Sequence, residues 1–459
     1  MKKIKITMLI NTNSRTSKDI IAGIIVFFSV FYILPLNASI LSDANGANMN
    51  FNAVYIGTAL LTALASISMG LYTKLPLIIS TGIGINFFFS YSLCGNLNYS
   101  WQQSLLIIFV ASILFFMSCL LPIRKKIIEC FSVDLASILT SCVGVFIIII
   151  GLKNAEIITE NFELGNFEDN KILLTLFGII IAFIFNYINI KRLPKLTQIF
   201  NTYAILFSMI ITASILYFFG DKINIENATQ NVQQIQFAEF FNTYNNVKIS
   251  PELFSIFYLP KTYAIILSLV IFYIIDSLGT IIALYTKLAL FADGKISKQG
   301  EKSLLVDSGV SIFSPLLLTS PPTIFLESNI AIQSGAKTGL TSIVVGILFL
   351  LSIFVLNIFP FFSLFFSPII TTAALIIIGE KMFICIKNIN YKDNILLITT
   401  LVMVITLITT ETLTNGIGVS FICYSLLMLC CGRKKEVHKF IFIISFLYIL
   451  YYIINYNLQ

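Results

Sequence analysis

Two acidic residues of this 459-residue chain lie inside long apolar segments, where a carboxylate can bind a proton or a polar ligand. Asp276 lies in "IFYIIDSLGTIIALY", and Glu327 follows a double proline in "PPTIFLESNIAIQSGAKTGLT". An acidic side chain inside a membrane costs about 2.5–3.5 kcal/mol on insertion scales, so such residues usually face a cavity and mark an ion or substrate route. The alternative is a structural carboxylate that accepts hydrogen bonds from a helix end or from Ser or Thr.

A third polar residue, Asn86, comes directly after "TGIGI" and is expected to face the same cavity. Alternatively, the side-chain amide of Asn86 makes a structural hydrogen bond to a neighbouring helix. Asp307 and Asp134 lie near the predicted ends of spans, where capping of a helix N-terminus would explain them. The single histidine, His438, lies in a basic loop, so a proton-coupled mechanism would depend on Asp276 and Glu327.

The composition determines which elements must position these residues. Hydrophobic residues make up 57% of the chain and charged residues 11%, whereas a soluble domain contains about a quarter charged residues. The mean hydropathy is +0.93. The eight cysteines have no metal-binding spacing, so the sequence predicts neither a metal site nor a cofactor. These features predict an all-α polytopic membrane protein.

Apolar runs long enough to cross about 30 Å of hydrocarbon recur along the whole chain. The fourteen predicted spans are Asp19–Leu41, Asn52–Tyr72, Leu75–Cys94, Gln102–Leu121, Asp134–Leu152, Ile172–Asn189, Phe200–Gly220, Pro260–Thr286, Lys302–Leu318, Pro321–Gly335, Thr338–Phe359, Phe362–Glu380, Asn394–Thr412 and Leu413–Gly432. A further apolar segment, Phe440–Tyr456, is either a fifteenth span or an interfacial helix.

The distribution of positive charge predicts the orientation of these spans. With a cytoplasmic N-terminus, 24 of the 29 Lys and Arg residues lie on the inner side. The outer side keeps only Lys153, Lys171, Lys222, Lys248 and Lys261. The net charge of +7 therefore reflects orientation and contact with anionic membrane lipid, and it does not predict nucleic-acid binding.

The longest polar stretch, Asp221 to Ser250, contains ten Asn or Gln residues and separates two sets of seven spans. An odd number of spans per half is the arrangement of a 7+7 inverted repeat. The predicted organisation is a cytoplasmic tail at 1–18, a first repeat at 19–219, an extracytoplasmic linker at 220–259, a second repeat at 260–432 and a basic loop with a C-terminal apolar segment at 433–459.

The third span of each half is interrupted by helix-breaking residues. The first contains Pro76, Gly82 and Gly84, and the second contains Pro321, Pro322 and Gly335. Broken backbone is tolerated at membrane depth only where it lines a cavity or is buried in protein. Matching breaks in two halves are therefore the strongest sequence indication of a transporter's binding site.

Five segments resemble the AzgA-like purine permease branch of the nucleobase–ascorbate (nucleobase–cation symporter) transporters. They are "SKDIIAGIIVFFSVFYILPLNASILSDAN", "STGIGINFFFSY", "VGVFIIIIGLKNA", "DSLGT" and "LESNIAIQSGAKTGLT". They occur in the order found in the family and extend from about Ser17 to Lys435. The resemblance implies a core domain of spans 1–4 and 8–11, a gate domain of spans 5–7 and 12–14, and short strands in spans 3 and 10 that meet at the substrate.

The resemblance also implies a function and its residues. It implies proton-coupled uptake of hypoxanthine, guanine or adenine across the cytoplasmic membrane by a protein that needs no cofactor. Asn86 and Gly84 match the G-x-N motif, Asp276 matches the acidic position of D-x-x-G-T, and Glu327 matches the glutamate of span 10. These four residues would bind the substrate, and Asp276 and Glu327 would couple its transport to the movement of a proton.

Four residues depart from the pattern of this family: Thr81, Ala331, Ala336 and Lys337. They are expected to narrow the cavity and to alter which substrate is preferred. Two alternative functions stay open from the sequence: a uracil or xanthine permease, and an anion transporter of the related seven-plus-seven fold. The sequence also leaves open whether the protein is a monomer or a homodimer. A membrane-embedded enzyme is disfavoured, because the predicted spans contain no histidine for a catalytic cluster.

Overall fold

The computed structural model describes residues 15–120, 133–159, 162–189, 197, 199–201, 203–219, 236–246, 251–288, 291–292, 295–296, 298–354, 364, 367–390, 392–410 and 413–457. Most of the predicted cytoplasmic tail, the cationic segments 124–126 and 191–195, and much of the predicted linker lie outside these residues.

The first half of the described chain is helical apart from one short strand. Its elements are α1 (Arg15–Val30), α2 (Ile33–Ser42), α3 (Phe51–Thr73), β1 (Ile79–Thr81), α4 (Ile83–Phe87) with a π-helical continuation (Phe88–Asn96), α5 (Trp101–Leu120), α6 (Val133–Asn154), α7 (Asn170–Tyr187) and α8 (Ala204–Phe219).

The second half contains α9 (Phe237–Asn245), a one-turn helix (Pro251–Phe254), α10 (Pro260–Leu288), β2 (Phe291–Ala292), β3 (Lys295–Ile296), α11 (Lys298–Ser311), β4 (Pro322–Ile324), α12 (Ser328–Gln333), α13 (Leu340–Ser352), α14 (Pro368–Phe383), α15 (Asn394–Thr410), α16 (Leu413–Cys430) and α17 (Lys439–Asn457). In this half a short strand again precedes a short helix, at β4 and α12.

Many of these helices are suited to a bilayer. Within the described residues, six helices of at least 18 residues are apolar enough to cross a membrane, one of them formed by α1 and α2 together. Five shorter apolar helices accompany them. The fold is therefore a helical, multi-pass membrane fold, as the composition predicted, while the count of fourteen spans stays a prediction.

The first predicted span is not continuous. It is broken between α1 and α2 at Phe31 and Tyr32. Pro35 has no backbone N–H to pair with the carbonyl of Phe31, which instead accepts a hydrogen bond from the N–H of Leu34 at 3.2 Å. The prediction of one span at Asp19–Leu41 agrees with the apolar helix Thr16–Ser42, although this local break was not predicted.

The two interrupted spans meet as predicted. Strands β1 and β4 pair antiparallel, with Ser80 opposite Thr323 at the centre of the register. Backbone bonds of 2.9 Å extend the pairing at both ends, from Gly82 N–H to the carbonyl of Pro321 and from Phe325 N–H to that of Ile78. All residues of both strands are buried. The pair therefore joins spans 3 and 10 inside the bundle.

On the edge of β1 that does not face β4, backbone groups bond to hydroxyl groups. In a bilayer interior such partners are needed, because no water is there to bond with the backbone. On α3, Ser66 Oγ donates to the carbonyl of Ile79 at 3.1 Å, and the hydroxyls of Thr62 and Ser80 lie 2.7 Å apart. Ser342 Oγ of α13 donates to the carbonyl of Leu77 at 2.6 Å. These contacts fix β1 to the helices on either side of it.

The helices pack into two groups that correspond to the core and gate domains implied by the resemblance. In the first group α3 packs against α2, α11 and α13, α13 packs against α1, and α5 packs against α10 and α11. In the second group α14 packs against α6, α7 and α8, and α15 packs against α6 and α16. The groups touch where α6 meets α4 and α10, and also where α1 meets α8, α2 meets α14 and α10 meets α16.

Two segments near the ends of the repeats contain helices. The predicted linker includes α9, which packs against α3, and its Glu239 accepts a hydrogen bond from Nδ2 of Asn52. The C-terminal apolar segment forms α17, which packs against α10 and α16. Tyr448 of α17 is buried, and its hydroxyl donates to Ser268 Oγ at 2.5 Å.

Candidate functional site

Glu327 lies at the N-cap position of the short helix α12, directly after the strand pair. Its side chain is half-buried and does not cap its own helix. Its Oε1 accepts a hydrogen bond of 3.3 Å from the hydroxyl of Tyr32, which is buried at the break between α1 and α2. Broken helices therefore bring two polar side chains together inside the apolar bundle.

Tyr32 is a site residue that the sequence analysis missed. Its neighbours Phe31 and Ile33 made it look like part of a continuous apolar helix. The available signal was Pro35, since a proline inside a helix releases the carbonyl four residues earlier and so indicates a break near Phe31. That signal gives the position of the break, although it does not identify Glu327 as the partner.

Asn86 lies on α4 and is fully buried. Its Oδ1 accepts a hydrogen bond from the hydroxyl of Ser320, which lies just before β4. Within the described residues its Nδ2 has no hydrogen-bond partner. A buried amide donor without a partner is costly, so Asn86 is suited to donate to a ligand that enters the site.

Ser320 is held in place by a buried polar cluster next to it. Asn37 Nδ2 of α2 donates to Thr58 Oγ1 at 2.6 Å and to Thr319 Oγ1 at 2.9 Å. The two threonine hydroxyls lie 3.1 Å apart. The cluster fixes residue 319, and through it the segment that presents Ser320 to Asn86.

Asp276 lies on α10 and is half-buried. Helix α10 packs against β4, and the Asp276 carboxylate lies near the hydroxyl of Thr323. Asp276 thus lies on a helix that packs against the strand pair, and its contact with substrate stays a prediction. Helix α10 also contacts α12, the helix that begins after Glu327.

The prediction that Asp307 caps a helix N-terminus was wrong. Helix α11 begins at Lys298, so Asp307 lies in its third turn, and its side chain is fully buried. Its Oδ2 accepts a hydrogen bond of 2.5 Å from the hydroxyl of Ser277, the residue after Asp276. By contrast, Asp134 does lie in the first turn of α6, and its Oδ1 accepts a hydrogen bond from Asn390 N–H at 3.0 Å.

Gly84 permits close packing at the contact between the two helix groups. A Cβ atom at this position would lie 2.8 Å from Val143 Cγ1 of α6 and 2.9 Å from Phe272 Cζ of α10. Contacts that short are essentially absent among real Cβ atoms. The structure therefore explains the glycine by helix packing, and its contact with substrate stays a prediction.

The departures from the family pattern have different environments. Thr81, Ala331 and Ala336 are buried. The side chain of Lys337 is exposed, and its backbone N–H donates to Asp19 Oδ1 at 2.8 Å. Lys337 therefore belongs to the contact between α1 and the segment after α12, and it does not narrow a buried cavity.

The arrangement defines a class of protein. Two short half-helices, α4 and α12, start at a buried strand pair and present an amide donor and a carboxylate acceptor, with a second carboxylate on the adjacent α10. Discontinuous helices that meet near the middle of an inverted-repeat bundle form the substrate site of secondary transporters. Fold and site together define a multi-pass membrane transporter of the seven-plus-seven type.

Sequence comparison identifies the family. Residues 17–415 match the Permease family, and the chain belongs to that family. Membership makes it a transporter rather than an enzyme, and it confirms the resemblance to nucleobase transporters seen in the sequence motifs.

Three known proteins illustrate the similarity. The guanine/hypoxanthine permease PbuG of Bacillus subtilis is 30% identical over 449 residues, which cover 95% of this chain and 96% of that protein. The adenine permease AdeQ of Escherichia coli is 28% identical, with coverage of 94% of this chain and 92% of that protein. The transmembrane domain of the cyanobacterial bicarbonate transporter BicA superposes with a TM-score of 0.60 at 14% identity, over 90% of this chain and 98% of that domain. The BicA likeness concerns the fold alone.

Proposed function

We propose that this chain takes up purine nucleobases, with hypoxanthine and guanine as its main substrates, by secondary active symport with protons across the cytoplasmic membrane. The observation that carries the proposal is that two half-helices, which follow the paired strands β1 and β4, present a carboxylate acceptor, Glu327, and a buried amide donor, Asn86, whose Nδ2 has no partner within the described residues. The guanine/hypoxanthine permease PbuG, similar over almost its whole length, supports it.

The chemistry of the two groups complements the edge of an oxopurine. An ionised carboxylate accepts hydrogen bonds and cannot donate, whereas a primary amide nitrogen donates. Tyr32 occupies one acceptor position on Glu327 and leaves others for ring N–H and exocyclic N–H groups. The Nδ2 of Asn86 would donate to a purine carbonyl or ring nitrogen.

Asp276 would bind the coupled proton. It lies inside α10, beside Thr323 of the strand pair, so its charge is near the proposed substrate position. A carboxylate that gains and loses a proton there changes the electrostatics of the site between the two faces of the membrane. Glu327 would assist, since it is the other acidic residue placed at the site by the sequence motifs.

One observation favours purines over the anion alternative. The fold is shared with a bicarbonate transporter, but here the half-helix α12 begins at a carboxylate, and Asp276 and Asp307 lie on the neighbouring α10 and α11. Carboxylates at these positions repel an anionic substrate and suit a neutral one with N–H donors. A uracil or xanthine permease has the same requirement, and the uptake test below distinguishes the uracil permease.

The test is uptake of radiolabelled hypoxanthine, guanine, adenine and uracil by a bacterial host without its own nucleobase permeases. The proposal predicts concentrative hypoxanthine and guanine uptake that increases as the external pH falls. An excess of bicarbonate or sulfate at fixed pH should not compete. Uptake of uracil alone, or inhibition by these anions, would contradict the proposal.

A further inference from the structure

A cavity lies between the two helix groups, and Glu327 is not among the described residues that line it. It has a volume of about 380 Å³ and lies between the π-helical segment after α4, the last turns of α6 and the end of α15. The residues that line it include Asn45, Tyr91, Phe146, Lys153, Asn154 and Ile408.

The cavity lies at the same contact between the two helix groups as Gly84, further along α6. Gly84 faces Val143 of α6, and the cavity is lined by Phe146 and Asn154 of the same helix. With a rise of 1.5 Å per residue, these two residues lie about 4 and 16 Å further along α6. The positive-charge distribution predicts that this end of α6 faces the outer solution.

One wall of the cavity is an ordered chain of hydrogen bonds between the two groups. Asn154 Nδ2 of α6 donates to the hydroxyl of Tyr91 at 2.7 Å. That hydroxyl donates to Asp43 Oδ2 at 2.5 Å, and the Tyr91 ring stacks on Phe87 with 5.7 Å between centroids. Tyr91 is therefore fixed both at its hydroxyl and at its ring.

The lining combines flat apolar rings with hydrogen-bond donors. Tyr91 and Phe146 supply rings, Asn45 and Asn154 supply amides, and Lys153 supplies an ammonium group whose Nζ lies 4.6 Å from the centroid of Phe162. Among the described residues that line the cavity, none is acidic, and Asp43 lies behind Tyr91, whose hydroxyl donates to it. Its volume falls in the range of small-molecule sites, which are mostly apolar with a few placed polar groups.

We propose that this cavity is a second binding site, which holds a neutral oxopurine on its path between the outer solution and the site at Asn86 and Glu327. The inference rests on the proposed function, since it assumes a purine substrate. The Lys153 ammonium group and the amide N–H groups favour a ligand with a carbonyl oxygen, such as hypoxanthine or guanine. Adenine presents an exocyclic amine, a donor, where these purines present a carbonyl acceptor.

A cysteine reporter at Ile408 tests the proposal. Ile408 lines the cavity, is 38% exposed, and makes no side-chain hydrogen bond that its replacement would remove. Ile408→Cys is alkylated in intact cells with a membrane-impermeant maleimide, with increasing hypoxanthine or adenine, and the labelling of the parent chain is subtracted. Thr409→Cys, at the neighbouring exposed residue that does not line the cavity, is the matched control.

Hypoxanthine should slow labelling of the Ile408→Cys variant at least about threefold, leave labelling of Thr409→Cys unaffected, and protect better than adenine. Its half-protecting concentration should agree within about twofold between Glu327 and Glu327→Gln backgrounds, because the cavity does not include Glu327. Lys153→Met should raise that concentration about fivefold, the effect of losing about 1 kcal/mol of hydrogen bonding.

Three results would overturn the inference: no protection, a tenfold weaker protection in the Glu327→Gln background, or equal protection of both reporters. Purine uptake is measured in the same cells, so that the two proposals are separated. Intact uptake without protection removes the second site and leaves the proposed function. Protection without uptake leaves the second site and removes the proposed function.

Discussion

The hydroxyl of Tyr32 donates a hydrogen bond to Oε1 of Glu327 at 3.3 Å, between residues 295 positions apart in the chain. Each residue lies at the start of a helix that follows a break, Tyr32 before α2 and Glu327 before α12. The bond therefore couples the break in span 1 to the break in span 10. It also sets the direction in which the carboxylate presents its remaining acceptor positions.

Tyr32→Phe should weaken purine binding without unfolding the protein. The ring stays, but the carboxylate loses the donor that orients it, so affinity should fall about three- to tenfold, corresponding to about 0.7–1.4 kcal/mol. Equilibrium binding of hypoxanthine to the purified protein measures the effect. Tyr55→Phe is the matched control, because its buried hydroxyl donates to the carbonyl of Ser352 at 3.2 Å, away from Glu327. An equal loss in both variants would show a general packing effect.

Gly84→Ala should impair transport more than it impairs binding. The added methyl group would press on Val143 and Phe272 where α4 meets α6 and α10, and overpacking of this kind costs about 1–3 kcal/mol. Maximal uptake should fall at least about fivefold. At Gly416, used as the control, a new Cβ would meet its nearest neighbour at 3.5 Å, an ordinary contact, so Gly416→Ala should transport normally. Normal uptake by Gly84→Ala would show that this contact does not limit transport.

Asp276→Asn should uncouple uptake from the proton gradient. Asparagine keeps the shape of the side chain but cannot bind and release a proton. Cells with the variant should equilibrate hypoxanthine without accumulating it, and their uptake should no longer rise as the external pH falls. Surface labelling must show normal amounts in the membrane. Accumulation driven by an imposed pH gradient, undiminished in the variant, would move the proton site to another residue.

The orientation predicts which loops are accessible from outside. Asn246→Cys, exposed at the end of α9, should react with a membrane-impermeant maleimide in intact cells. Lys387→Cys, exposed on the opposite predicted side, should react only after permeabilisation. Both are made in a background with Cys430 and Cys431 changed to Ser, because these two cysteines are exposed. The reverse pattern would invert the topology.

The breaks in spans 3 and 10 were predictable from the sequence because proline and glycine interrupt helices by local stereochemistry. Pro321 precedes β4, Pro322 is its first residue, and Gly335 after α12 has a φ of +89°, which favours glycine. Hydrophobicity also predicted the helical membrane fold, since a bilayer requires long apolar segments whatever their packing.

Contacts between distant segments were not predictable in this way. The Ser320 hydroxyl that bonds Asn86 belongs to a residue type common in helices and turns, and its partner is 234 positions away. Asp307 was misassigned because its role depends on where α11 begins and on the neighbouring Ser277. Composition and periodicity describe one segment at a time, whereas these roles depend on the relative positions of several helices.

The most direct test of the central claim is equilibrium binding of hypoxanthine to purified Glu327→Gln. The glutamine amide places a donor where the purine N–H also donates, and a charge-assisted hydrogen bond contributes about 1.5–3 kcal/mol. With one decade per about 1.4 kcal/mol, the Kd should rise at least about tenfold. Asn86→Ala should raise the Kd less, because this substitution removes one hydrogen-bond donor and does not place a second donor against a purine N–H. Both variants must elute as the native protein in size-exclusion chromatography. An unchanged Kd for Glu327→Gln would show that the carboxylate is structural and that purines bind elsewhere.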